Sequence, residues 1–265
     1  MNYINKIITL LILTLSIVSC SESDDITNGT ADLTGAIDIN FDAKVGDEDF
    51  ALDTPFSIDN NTYEFSKLRY WVSNIQLVAE DNSVVTIPNS YFLLEETKEI
   101  SVQEGAYTYP ENKRELVSLQ GIPQNTYTKL IFAVGIDETY NDNMSLQSGE
   151  LSQLNGMTNV SWMWHTSYIF SSLAGVNTTD AENSTAILVE TGLNDNYRVV
   201  EVELPTAVEV DYQNTTVINL NVDVLGMLNE VNLTETPKVS ANSPEIMTLV
   251  ANNYKDNTFT VKIAE

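Results

Sequence analysis

Val217-Ile218-Asn219-Leu220-Asn221-Val222-Asp223-Val224 alternates apolar and polar side chains from Ile218 onward. Ile218, Leu220, Val222 and Val224 fall on one face and Asn219, Asn221 and Asp223 on the other, the period of two that a half-buried strand requires. Val200, Val202 and Leu204 alternate with Glu201 and Glu203 in the same way, and Phe259, Val261 and Ile263 with Thr258, Thr260 and Lys262. Such strands, repeated with turn signals between them, predict an all-β chain.

The architecture expected is an antiparallel β-sandwich, immunoglobulin-like or jelly-roll-like. Thr128 to Ile136 is apolar on both faces, so that strand belongs at the centre of the core. Between Leu68 and Ala79 the apolar parity switches, from Leu68, Tyr70 and Val72 to Ile75, Leu77 and Ala79. A bulge or bend at Ser73-Asn74 restores a single inward face, and Asp81-Asn82-Ser83 then supplies a hairpin turn into Val84 to Ile87. One C-terminal helix is predicted: Ser243 caps it, Pro244 sits where its missing N–H costs nothing, and Ile246, Leu249, Val250 and Tyr254 form its apolar stripe. A short loop helix is expected around Ser148 to Leu154.

The first nineteen residues read as a secretory signal. Lys6 gives a positive start, Ile7 to Val18 are almost wholly apolar, and small Ser19 precedes Cys20. That apolar run is too short to span a bilayer as a helix, and Ile17-Val18-Ser19-Cys20 is similar to a bacterial lipobox, which implies acylation of Cys20. Residues 20–34 form an acidic flexible tether, and residues 35–265 a single sandwich domain. An outer-membrane or cell-surface lipoprotein, held to the membrane through Cys20, is the location expected. Cys20 is the only cysteine, so the fold rests on its core without an internal disulfide. The net charge of −26 argues against nucleic acid and anionic lipid surfaces as partners.

Enzyme signatures are missing: there is no G-x-G-x-x-G, P-loop, G-x-S-x-G or H-E-x-x-H. His165 is the only histidine, so a hydrolase triad would have to be built on it with no serine marked as nucleophile, and zinc would lack its usual nitrogen and sulfur ligands. Acidic clusters at Asp47-Glu48-Asp49 and Asp137-Glu138 do not match a calcium loop. The segment from Gly156 to Phe170 is the densest in chemistry, holding Trp162, Met163, Trp164 and His165 in succession. On a strand Met163 and His165 share one face and the two indoles the other. Imidazole and thioether together suit copper better than magnesium or calcium, while an aromatic-rich core strand explains the same residues without a metal.

Several blocks together resemble the MbnP-like family. They are Lys67-Leu68-Arg69-Tyr70-Trp71-Val72-Ser73-Asn74-Ile75-Gln76-Leu77, Ser90-Tyr91-Phe92-Leu93-Leu94, Tyr127 through Asp137, Ser148-Gly149-Glu150-Leu151, Gly156-Met157, Trp162-Met163-Trp164 and Tyr168-Ile169-Phe170. The resemblance implies copper binding or copper handling outside the cytoplasm, through histidines and in some relatives an oxidised tryptophan. In this chain Thr158-Asn159-Val160-Ser161 separates Gly-Met from the tryptophan pair, and Glu190 stands where a histidine is expected. Met163, His165 and Glu190 are thus the candidate copper ligands, with Trp162 and Trp164 lining the site or oxidised. The alternative is a metal-free surface module for a glycan, peptide or partner protein, which relies on sandwich loops free to vary.

Overall fold

Strand Asn61–Ala79 organises the molecule, because both of its edges are hydrogen-bonded along most of its length. The computed structural model describes residues 33–58, 60–159, 167–180 and 183–262. One edge of the long strand carries Pro55–Ile58, Tyr91–Thr97 and Val84–Thr86 in succession. The other carries Ser167–Asp180 along residues 62–70 and then Asn125–Val134 along residues 72–79. Asn183–Gly192 and Arg198–Val210 extend this large sheet on either side. A smaller sheet, in the order Leu116–Pro123, Thr34–Val45, Thr215–Asp223 and Phe259–Val261, covers its inner face.

The all-β sandwich expected from the alternation is present. Ile218, Leu220 and Val222 are buried from the small sheet and Val200, Val202 and Leu204 from the large one. Phe41 and Phe132 close the gap between the sheets edge to face at 5.5 Å, and Phe259 meets Phe132 at 5.0 Å. Full burial of such a ring is worth roughly 1.5–3 kcal/mol. The parity switch at Ser73-Asn74 is a true irregularity: Ala133 pairs with Ser73 but Ile131 with Gln76, and Asn74 takes a φ of +53°. Asn82, at φ +66°, makes the turn into Val84–Thr86.

Some details depart from the expectation. Thr34–Val45 pairs with Thr215–Asp223 in parallel, and Asn183–Gly192 with Lys238–Val239 likewise, because long connections bring the late strands back alongside early ones. Helix Pro244–Asp256 buries Met247, Val250, Ala251 and Tyr254 on the core, but the Ser243 hydroxyl turns back to Ser240 and leaves the helix uncapped by a side chain. The loop helix is only a 3-10 turn at Gln153–Asn155. Gly149 explains why: at φ +52° it lies against the Tyr91 strand, where a Cβ would be 2.5 Å from the Asn89 carbonyl oxygen, and a helix cannot run through that conformation. A further single helical turn forms at Glu138–Asn141. Ile263 lies outside the described residues. Among the described residues no helix is long and apolar enough to cross a membrane.

Candidate functional site

The two strands that share one edge of Asn61–Ala79 separate at Tyr70 to Val72, and the sheet forks there. A second apolar cluster fills the fork on the outer face of the large sheet. Trp71, fully buried, meets Tyr168 edge-on at 6.0 Å, and Ile136, Met157, Ile169 and Phe170 pack around them. Gly135 donates its N–H to the Trp71 carbonyl, and its φ of +113° would put a Cβ 2.6 Å from the Phe170 ring. Only glycine fits this position, which is why Val134-Gly135-Ile136 can turn the chain out of the sheet beside Trp71.

Hydrogen bonds brace the fork. Ser73 donates to the Gly135 carbonyl at 2.7 Å, and Asn74 donates to Asp137 at 3.1 Å and to the Tyr197 hydroxyl at 2.7 Å. The Tyr91 hydroxyl also donates to Asp137; burial, followed by that carboxylate, pushes its phenol well up. Asn141 accepts from the Tyr168 N–H at 2.9 Å. The Ser148-Gly149-Glu150-Leu151 block clamps the Tyr91 strand: Ser148 donates to Asn89 at 3.0 Å, and Glu150 accepts from the Leu93 N–H at 3.1 Å.

Beside Trp71 on the same face lies a buried ion pair that the chain pattern alone did not mark. Arg69 Nε donates to Glu95 Oε2 at 2.6 Å, with both side chains 1% exposed. The other carboxylate oxygen accepts from Tyr109 at 2.5 Å and Asn112 at 2.7 Å, and the guanidinium carbon lies 4.8 Å from the centre of the Tyr109 ring. Burial, then the Glu95 carboxylate, pushes the Tyr109 phenol up to about 12. Arg69 Nη2, Trp71 Nε1, Ser167 Oγ and Tyr168 Oη are buried without a hydrogen-bond partner among the described residues. Four such groups in one region are unusual, since buried polar atoms are nearly always paired.

Strand Thr158–Asn159 runs antiparallel to the start of Ser167–Asp180, with Thr158 opposite Tyr168 and Asn159 opposite Ser167. The Ile169 N–H donates to the Met157 carbonyl at 2.9 Å. The chain therefore leaves the fork at Asn159 and re-enters it at Ser167, on adjacent strands. Trp162, Met163, Trp164 and His165 lie outside the described residues, as does Cys20. Glu190 is described, half-buried opposite Ser172. Ser172 donates to it at 3.1 Å; burial raises its carboxyl, against the opposing pull of Lys67. Burial likewise lowers Lys67, so desolvation outweighs the attraction within the pair. Among the described residues no group of three or more histidine, cysteine or acidic side chains could hold a metal ion.

Comparison with known proteins agrees with the blocks that build the fork. No curated protein matches the chain. A solved structure, MbnP from Methylosinus trichosporium, aligns at 15% identity and a TM-score of 0.47, covering 75% of this chain and 79% of that one. The MbnP family model matches residues 34–248, which takes in the large sheet, the fork, all of the small sheet except Phe259–Val261, and the start of the C-terminal helix. The chain belongs to the MbnP family.

Proposed function

We propose that this protein handles copper outside the cytoplasm as a lipid-anchored member of the MbnP family, in a binding and not a catalytic role. The observation that carries the reading is the pairing of Asn159 with Ser167 beside Trp71. It pairs the described residues that flank Met163 and His165 in the sequence, within a family whose resemblance implies copper. Met163 and His165 supply the soft donors that favour copper over hard cations. Glu190 is the carboxylate donor, and to serve it has to give up its hydrogen bond from Ser172 and its attraction to Lys67. Copper so held would supply soft-metal chemistry at these donors. Cys20 supplies the anchor, at the outer membrane or cell surface.

Titration of the whole chain with Cu(I) and Cu(II) under competition from a chromophoric chelator tests this. Saturable binding of copper, weakened at least about tenfold in His165→Ala, which is about 1.4 kcal/mol, is the expected result. Unchanged affinity in that variant removes the proposed ligands.

A further inference from the structure

We propose that a groove on the outer face of the large sheet, between strand Tyr107–Tyr109 and residues 150–155, binds a neutral saccharide. The groove has a volume of about 320 Å³, within the range of small-molecule sites. Tyr107 and Leu154, exposed by 39% and 44%, both line it. They give it an apolar rim, while Tyr109 below them is held by its bond to Glu95.

Three polar side chains in the groove are each anchored through one atom. Glu150 Oε2 accepts from the Leu93 N–H and from Arg114, Ser152 Oγ accepts from the Leu154 N–H, and Asn155 Oδ1 accepts from the Met157 N–H. That leaves Glu150 Oε1 as an acceptor, the Ser152 hydroxyl proton as a donor and Asn155 Nδ2 as a donor, with no partner among the described residues. A fixed set of two donors and one acceptor beside an aromatic rim matches a sugar ring, whose hydroxyls both donate and accept and whose C–H face packs on tyrosine. Charge selects the neutral class. The net charge of −26 repels acidic sugars, and Arg114 at 2.5 Å offsets Glu150, so among the described residues the groove holds no free local charge for a cation.

The test is calorimetric titration of the whole chain, in a zwitterionic detergent without a sugar headgroup, with cello-, xylo-, manno-, malto- and chitotetraose. Tetragalacturonate serves as the acidic comparison. At least one neutral sugar is expected to bind saturably with a Kd of about 1 mM or below, weakened about tenfold or more by Tyr107→Ala. Because Tyr107 is exposed, the variant should keep its urea midpoint, so the loss reads the groove and not the fold. Absence of saturable binding by every neutral sugar, affinity unchanged in Tyr107→Ala, or tighter binding of tetragalacturonate overturns the proposal. Copper affinity is a separate readout, and failure of either assay leaves the other standing.

Discussion

Removing Arg69 tests the polar half of the fork. Its guanidinium and Glu95 are each 1% exposed and 2.6 Å apart, and breaking a buried pair from one side costs about 3–5 kcal/mol. Arg69→Met leaves Glu95 with the Tyr109 and Asn112 donors, so the expected cost is the lower figure, about 3 kcal/mol. Glu95→Gln strands a guanidinium whose Nη2 already has no partner, and the expected cost is about 4–5 kcal/mol. The double variant removes both charges and should fall short of the sum by about 2 kcal/mol, the signature of direct coupling. For a domain of this size a loss of 3 kcal/mol lowers Tm by roughly 6–12 °C. Urea unfolding followed by tryptophan fluorescence gives the three values, provided the slopes agree. Single-variant losses both below about 1 kcal/mol, as for exposed pairs, or strict additivity in the double variant would refute the reasoning.

Gly135→Ala combines a positive φ with a Cβ 2.6 Å from the Phe170 ring and should cost about 2–4 kcal/mol, read in the same unfolding assay; a loss within 0.5 kcal/mol, roughly the size of a surface change, would contradict the fork geometry. Phe132→Ala should cost about 3–5 kcal/mol, because the ring closes both sheets against Phe41 and Phe259. Tyr109 rises from 10.0 to about 12 in the folded chain, so the fold holds its phenolic proton more tightly than the unfolded chain does. Its contribution is complete below pH 10 and is lost as pH climbs through about 12. Absorbance titration at alkaline pH should lose one late tyrosinate transition in Tyr109→Phe, and an unchanged curve would show that the phenol is not held by Glu95.

The inward faces were legible because strand periodicity reports burial directly: Ile218, Leu220 and Val222, or Val200, Val202 and Leu204, each alternate with polar neighbours. The bend at Asn74 was legible for the same reason, since a change of parity has no other economical cause in a continuous strand. Pairing was not legible. Nothing in the alternation of Thr34–Val45 or Thr215–Asp223 says that they run parallel, because period is a local property and partner choice a long-range one. The fork and the Arg69–Glu95 pair were hidden likewise, since residues 26 apart meet only through the register of two strands. An arginine between Leu68 and Tyr70 in an apolar strand was the available signal, for a charge on such a strand needs a partner. Glu190 was picked out from the sequence, but its half-burial beside Ser172 and Lys67 emerged only when three strands were aligned.

The central claim, that this chain handles copper through Met163 and His165, is tested most directly by the metal content of the chain purified from membranes of its own host. About one copper per chain, retained through chelator-free gel filtration and absent from a His165→Ala strain, is the predicted result. Copper at background level in the native chain, or an equal amount in the variant, would contradict it.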